Sequence, residues 1–578
     1  MFSRFDRRFF AGDEDFTCIG SGALGGKALG LALARDTIRA EFDLVSSPEL
    51  GVGVPRLTVI CTDMFEAFME RNRLAEVAES GTSDDRIAHA FQQAQLPVEL
   101  VGDLSGLIDD VHTPLAIRSS SLLEDALAHP FAGVYATKMI PNNQHGADAR
   151  FGRLVEAIKF VYASTYFSSA RSYRDSVGAP SGSEKMAVII QEVVGQRHGD
   201  RFYPDVSGVA RSYDYYPRDG SASSDGVVSL ALGLGKTIVD GGLCWTYSPN
   251  RPMAPSPFTS INDLLRHTQT RFWSVNMGAP PPYDPLRETE YLVYSWAEDA
   301  RADKTLDLVA SSYDPQSDRV RPGVEGGGPL VLDFALLLGA GPLPLNECVK
   351  GLLILFRKTV GREVEIEFAL SRSWDPSTPS RLSFLQVRPM AKPGSEIEVE
   401  PEELTAERVV LASSSCLGNG RVDTMHDVVY LRPDVFAAEH THAMAGELAA
   451  INRGIVESGR RYLLIGFGRW GSSEPWLGVP VVWGQISGAA VIVEASRAGM
   501  CPDMSQGSHF FHNLIGLQVL YLSLPRENGL PIDWEWLDQQ EIVQETGFVK
   551  HVRTRCPLEI KVDGRSRRGV VARGGGER

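Results

Sequence analysis

Residues 113–137 read TPLAIRSSSLLEDALAHPFAGVYAT. The apolar run Pro114 to Ile117 predicts a buried strand, and it delivers Arg118 into three consecutive hydroxyls, Ser119, Ser120 and Ser121. The acidic pair Glu124 and Asp125 follows, then a glycine turn at Phe131-Ala132-Gly133. A guanidinium is permanently charged and presents a planar fork, and hydroxyls add short donors, so the pattern suits an anion with several oxygens. A strand-end arginine is equally at home in a surface ion pair. Its neighbours along the chain decide between the two.

Upstream, Phe16 to Ile19 reads as a strand, followed by GSGALGGKALG from Gly20 to Gly30 and helix-forming residues to about Ala34. Three readings fit this loop. Gly20, Gly22 and Gly25 match the spacing of a dinucleotide fingerprint, with Glu41 or Asp43 near the expected acidic position. A Walker loop fails, because Ser21 stands where the first glycine is required and Ala28 replaces the magnesium-binding hydroxyl. The third reading makes Gly25-Gly26-Lys27 the working part, with a lysine brought to a phosphate at a helix start. A plain turn that needs glycine for its backbone angles accounts for the same letters.

Downstream, Arg56 to Asp63, Lys185 to Val194, Ser207 to Tyr216 and Gly226 to Leu234 read as strands, and Ala147 to Ser176 as a long helical region. In the strand Glu363 to Leu370, Glu363, Glu365 and Glu367 alternate with Val364, Ile366 and Phe368, so period two places the carboxylates on one face. Ser383 to Pro389 returns as a strand with Gln386 and Arg388 on one face. Antiparallel pairing would bring Glu365 and Glu367 near Gln386 and Arg388. Carboxylates beside an amide oxygen make an oxygen site for Mg²⁺. A half-exposed acidic hairpin fits the letters as well.

At 578 residues the chain calls for two to four domains. A net charge of −16 argues against broad nucleic-acid binding. The seven cysteines form no Cys-x-x-Cys pair, which predicts a reducing, cytoplasmic setting and no zinc site. The arginine-rich start has no following apolar core, so no secretory signal is expected. The apolar stretch Pro329 to Leu345 is too interrupted to span a membrane.

Taken in order, eight segments resemble the N-terminal ATP-binding domain of the pyruvate phosphate dikinase and phosphoenolpyruvate synthase family. They are GGKALGLA at 25–32, IRSSSLLED at 117–125, FAGVYAT at 131–137, SARSYR at 169–174, MAVIIQEVV at 186–194, SGV at 207–209, GLG at 233–235 and FLQVRPM at 384–390. The resemblance displaces the dinucleotide reading. It implies an α/β fold of two ATP-grasp-like lobes over residues 1–392, an ATP and Mg²⁺ cofactor set, and a phosphotransferase activity. By position, Lys27 and Arg118 are expected on the phosphates, with Gly133 and Thr137 over them on a mobile lobe. Gln191 and Glu192 are expected by the adenine. Glu365 and Glu367 match the family's acidic pair, Glu367 and Gln386 are the expected metal ligands, and Arg388 completes the clamp. Two departures stand out: Lys236 after Gly-Leu-Gly, where the family usually has glutamate, and Ala210-Arg-Ser-Tyr-Asp-Tyr-Tyr-Pro217 in place of Phe-Thr-x-Asp-Pro. They keep open a second function, a non-catalytic ATP-sensing or scaffold protein.

Residues 393–421 read as a linker, 422–545 as a smaller C-terminal α/β domain with a helix from Pro433 to Glu457, and 546–578 as a basic, solvated tail. The family carries a swivelling domain whose histidine is phosphorylated. Gly507-Ser508-His509 resembles that signature, which makes His509 the expected phosphohistidine of a divergent domain, although a capped or core histidine fits equally. Thr441-His442 competes by letters but is expected inside an uninterrupted helix. No segment resembles the family's pyruvate-binding barrel, so the phosphate acceptor, a protein or a small molecule, stays open.

Overall fold

The computed structural model describes the chain except residues 1, 7–14, 42–45, 80–81, 123–132, 177–183, 216, 218–220, 255–259, 326–327, 340, 376, 391–396, 473, 498–509, 511–513, 515–516, 518, 525–531, 565 and 576–578. By its internal contacts the chain divides into two units. The first holds Met1–Arg174, Gly178–Ile238 and Leu243–Met390, and the second holds Asp175–Val177, Val239–Gly242 and Ala391–Arg578.

The first unit is built on two six-stranded sheets. One runs in the order Ser3–Arg4, Phe16–Ile19, Leu57–Ile60, Met186–Glu192, Leu115–Ser121, Thr137–Ile140. Its centre, MAVIIQE, is apolar almost throughout because its strand is covered on both faces. The arginine-bearing strand pairs antiparallel with it, Arg118 opposite Ile189. The second sheet runs Trp245–Tyr247, Val227–Ala231, Val206–Arg211, Val364–Ser371, Ser380–Pro389, Leu50–Gly53. Every neighbouring pair in it is antiparallel except the last, where Ser380–Pro389 lies parallel to Leu50–Gly53. The short passage from Gly53 to Leu57 therefore carries the chain from one sheet into the other.

Helix Gly26–Ala40 buries Ala28, Leu31, Ala34 and Ile38, one helical stripe, in a core shared with Phe16 and Val59 of the first sheet and Ile366, Phe384 and Val387 of the second. Its start is fixed by the glycine loop before it. Ser21 donates from its amide and hydroxyl to Asp63 Oδ2 at 2.8 and 3.1 Å, and the Ala23 amide donates to Thr62 Oγ1 at 3.0 Å. Partial burial works against the Asp63 charge, yet these amide and hydroxyl donors outweigh it and hold the carboxyl below its usual range. Gly25 closes the loop at φ 77°, where a Cβ would lie 1.8 Å from the Ser120 carbonyl oxygen.

In the second unit, Asn419–Leu431, Tyr462–Phe467, Ala489–Ala495 and Leu520–Leu524 run parallel in a nine-stranded sheet, and helix Thr441–Glu457 makes the first crossover. Three expectations change here. Residues 549–572, expected as a solvated tail, form the strands Val549–Asp563 and Arg568–Ala572, the first of which pairs along Asn419–Leu431. Their Val552, Leu558, Ile560, Val562, Val570 and Val571 are buried, an apolar packing that the arginine count conceals. The expected linker shortens, because Val409–Ser413 is a strand on Arg568–Ala572. The helix begins at Thr441 rather than Pro433, after a single turn at Ala438–His440.

Gly25→Ala should destabilise the first unit by about 2–4 kcal/mol, the sum of a left-handed backbone penalty and a backbone clash. Gly146→Ala, whose Cβ would meet nothing within 4 Å, should be nearly neutral. Urea unfolding of the two variants checks the contrast.

Candidate functional site

Arg118 sits in the middle of a polar cluster built by both sheets. Its Nη1 donates to Gln191 Oε1 at 3.1 Å and to the Leu385 carbonyl at 2.9 Å, and its Nη2 donates to Gln386 Oε1 at 2.8 Å. Glu367 Oε2 lies 3.9 Å from the same Nη2. Gln191 reaches the guanidinium because Ala116 faces Gln191 across the ladder, and Arg118, two residues on, shares that face. Gln386 and Leu385 come from the other sheet.

The acidic strand and the Gln-x-Arg strand pair in the expected register, Glu365 opposite Arg388 and Glu367 opposite Gln386, with a bulge immediately after Glu367. Arg388 Nη2 donates to Glu367 Oε1 at 3.2 Å, and its Nη1 lies 3.8 Å from Glu365. Behind them Arg211, opposite Glu365 on the next strand, donates from Nε to Glu365 Oε2 at 2.6 Å. Exposure separates two layers. The side chains of Arg211, Glu365 and Arg388 are 2–4% exposed, whereas those of Arg118 and Glu367 are 12% and 16% exposed. The front pair can meet a ligand. The rear group supports it, since buried charges persist only when paired.

Lys27 is the second residue of Gly26–Ala40, buried, with Nζ 3.2 Å from Ser119 Oγ. The Ala28 amide donates to Ser120 Oγ at 3.1 Å, and that hydroxyl donates on to the Leu24 carbonyl at 2.8 Å. The three serines are fully buried. Ser119 and Ser120 thus tie the lysine helix to the arginine strand, instead of standing open to an anion as their sequence suggests.

The remaining expected residues fall differently. Thr137 lies directly opposite Arg118 on the adjacent strand of the same sheet, not on a separate lobe, and Gly133 precedes that strand in an exposed turn at φ 63°. Glu192 points away from Gln191, across the pleat, and its nearest cation is Arg56 at 3.9 Å. Lys236 opens a short helix with Glu288 3.8 Å away. His509 lies outside the described residues, as do Glu124 and Asp125. His442 is exposed at the second position of Thr441–Glu457, so the uninterrupted-helix objection to it no longer holds.

Two participants escaped the sequence reading. Asp63 anchors the glycine loop, and nothing local marks it among other helix-start aspartates. Arg211 falls within the departure after Ser-Gly-Val. Its signal was the need of an acidic strand for a buried cation on its other neighbour.

Glu367 and Gln386 supply two adjacent oxygen donors. Among the described residues no group of three or more His, Cys, Asp or Glu is placed to hold a metal ion. This donor set fits a magnesium ion that takes its other ligands from phosphate and water.

Residues 21–408 match the family described as the pyruvate phosphate dikinase AMP/ATP-binding domain. The chain belongs to that family. The fold of this dikinase domain is ATP-grasp-like. The match also takes in the first residues of the second unit. The chain is 27% identical to a phosphoenolpyruvate synthase of Aeropyrum pernix over 431 residues, 69% of this chain and 45% of that protein. It is 24% identical to an uncharacterized phosphotransferase, YvkC, of Bacillus subtilis over 202 residues, 35% of this chain and 22% of the relative. It is 29% identical to the prodigiosin synthesizing transferase PigC of Serratia marcescens over 194 residues, 33% of this chain and 19% of the relative. The chain thus spans less than half the length of these relatives. Among the described residues no helix is long and apolar enough to cross a membrane.

Arg211→Met should cost the first unit about 3–5 kcal/mol, because it removes the closest partner of a buried carboxylate. Adding Glu365→Met should recover most of that loss. Denaturant unfolding of the single and double variants measures the coupling.

Proposed function

We propose that the chain is an ATP-dependent phosphotransferase of the dikinase type, passing phosphate from Mg-ATP to a histidine or to another acceptor. The observation that carries this reading is the meeting of Arg118 from one sheet with Gln386 and Glu367 from the other. A lysine seated in the first turn of a helix lies one strand residue away, through Ser119.

Phosphoryl transfer depends on positioning and on stabilising charge at the phosphate oxygens, more than on a protein nucleophile. Arg118 spends its donors on amide and carbonyl oxygens, which are neutral acceptors. Phosphate oxygens are charged and bind a guanidinium more strongly, so the nucleotide would draw the fork from Gln386 without stranding a buried carboxylate. Lys27 would add a second cation at a helix start, where free amides already favour anions. Glu367 and Gln386 would hold a magnesium ion, which neutralises phosphate charge when bound. The rear group of Arg211, Glu365 and Arg388 would keep these ligands rigid. For the acceptor histidine, His509 is the proposal from sequence, and His442, exposed at a helix start, is the alternative.

A second reading, an ATP sensor without turnover, draws on two observations. Arg211 closes on the acidic strand where the family carries Phe-Thr-x-Asp-Pro, and Lys236 replaces the glutamate after Gly-Leu-Gly. The two readings differ in product. Incubation with Mg-ATP should yield AMP or ADP and an acid-labile phosphate on the intact protein under the first reading. Bound but unchanged ATP would support the second. Loss of the label in His509→Ala or in His442→Ala assigns the acceptor, and label retained in both rejects both histidines.

Under either reading Lys27→Ala and Arg118→Ala should each weaken ATP binding by about 10- to 100-fold, the worth of a charge-assisted hydrogen bond. Glu192→Ala should change it little. Calorimetric titration of the variants with ATP decides, and unchanged affinity in both cation variants overturns the site.

A further inference from the structure

A second cation cluster lies in the C-terminal unit, beyond the residues that match the dikinase family. It originates in an irregularity of the sheet. Along the pairing of Asn419–Leu431 with Val549–Asp563, Asp427 faces Arg553 and Met425 faces Leu558. Four residues, 554 to 557, therefore stand against the single residue His426, and the extra chain bows outward. The His426 ring Nδ1 lies 3.0 Å from the Thr554 carbonyl, and Thr554 Oγ1 donates back to the His426 carbonyl at 3.2 Å, which fixes the bulge. Beside it opens a cavity of about 720 Å³, lined among others by His426, Asp427, Arg460, Arg461, Arg553 and Arg555.

The charges around this cavity do not balance. Four arginines face two carboxylates, Asp427 and the exposed Glu541. Asp427 is buried and receives Arg460 Nη1 at 3.1 Å, Arg553 Nη2 at 3.1 Å and the buried His551 Nε2 at 2.7 Å, all at Oδ1. One carboxylate thus orients two guanidinium groups without consuming them. Arg553 uses Nε and Nη2, and Arg460 uses Nη1 on Asp427 and Nε on Ser458. Nη1 of Arg553 and Nη2 of Arg460 have no protein acceptor among the described residues. Arg555 is exposed and forms no ion pair there. Arg461 is tied to the Gly488 and Ala489 carbonyls, which are neutral. A net positive pocket persists in a chain of net charge −16.

We propose that this cavity binds a phosphate-bearing small molecule, a ligand separate from the nucleotide of the first unit. Guanidinium forks match phosphate oxygens two at a time, and arginines already held by Asp427 lose little side-chain freedom on binding. The cavity volume falls in the range of small-ligand sites, about 300–1,000 Å³. Recognition would run through the free edges of Arg460 and Arg553 and the free head of Arg555, with His426 on the wall.

The test uses the full chain, with Lys27→Ala and Arg118→Ala as background, and inorganic pyrophosphate as the calorimetric probe. Binding should persist in that background and weaken about tenfold in Arg555→Ala and in Arg553→Lys, the latter keeping charge but losing the fork. Among the described residues Arg555 supports no other group, so its variant should keep the parent melting temperature. Absence of pyrophosphate binding in the background, or affinity unmoved by both substitutions, would overturn the proposal. So would tighter binding of a homopolymeric RNA than of pyrophosphate with the same dependence on Arg555, since that would indicate a macromolecular surface.

Discussion

The first unit turns on how Arg118 satisfies its hydrogen-bonding capacity. The guanidinium is too enclosed to rely on water and too charged to be left without acceptors. Within its own sheet it finds Gln191, and the rest of its needs are met by the Leu385 carbonyl and the Gln386 side chain of the other sheet. That requirement joins the ends of two strands more than 260 residues apart in the chain, and everything else in the site is placed relative to the junction. The lysine helix is fastened to the same strand through Ser119 and Ser120. Loop, helix and both sheets thus converge on a few ångströms around one cation.

Charge in the site is layered. Three carboxylates spaced two residues apart, Glu363 just before the strand Val364–Ser371 and Glu365 and Glu367 on it, would repel one another and resist burial, and each has its own partners. Glu363 accepts from Ser212 at 2.5 Å, Glu365 is held by Arg211 and approached by Arg388, and Glu367 lies between Arg388 and Arg118. The progression runs from sealed to accessible along the strand. A group that must change partners when a ligand arrives belongs at the accessible end, and the sealed end supplies the rigidity that keeps it in place.

The C-terminal unit shows how net charge misleads. Residues 551–578 carry eight Lys or Arg, a density that resembles a solvated tail. In strands, charge on one face is compatible with a fully buried opposite face, and Val552, Ile560 and Val562 are buried while Arg553 and Lys561 keep access to water. The same alternation presents Arg553 and Arg555 together on the outer side of a bulge.

What the sequence determined by itself was local and periodic. Period two in Glu363 to Phe368 placed the carboxylates on one face, and the apolar run before Arg118 marked its strand. The order of eight short segments pointed to the family that the match over residues 21–408 shows. Tertiary structure alone decided which neighbour each charge received. Gln191 and Glu192 are adjacent letters of similar size, yet the pleat sends one to Arg118 and the other to Arg56. Arg211 lies outside every segment of the resemblance and still carries the buried acidic strand, because only the register of Val206–Arg211 against Val364–Ser371 sets it opposite Glu365. A residue's periodicity is written in its nearest few neighbours, whereas the partner of a buried charge comes from a strand distant in the chain, chosen because the charge left alone would cost more than the fold can supply.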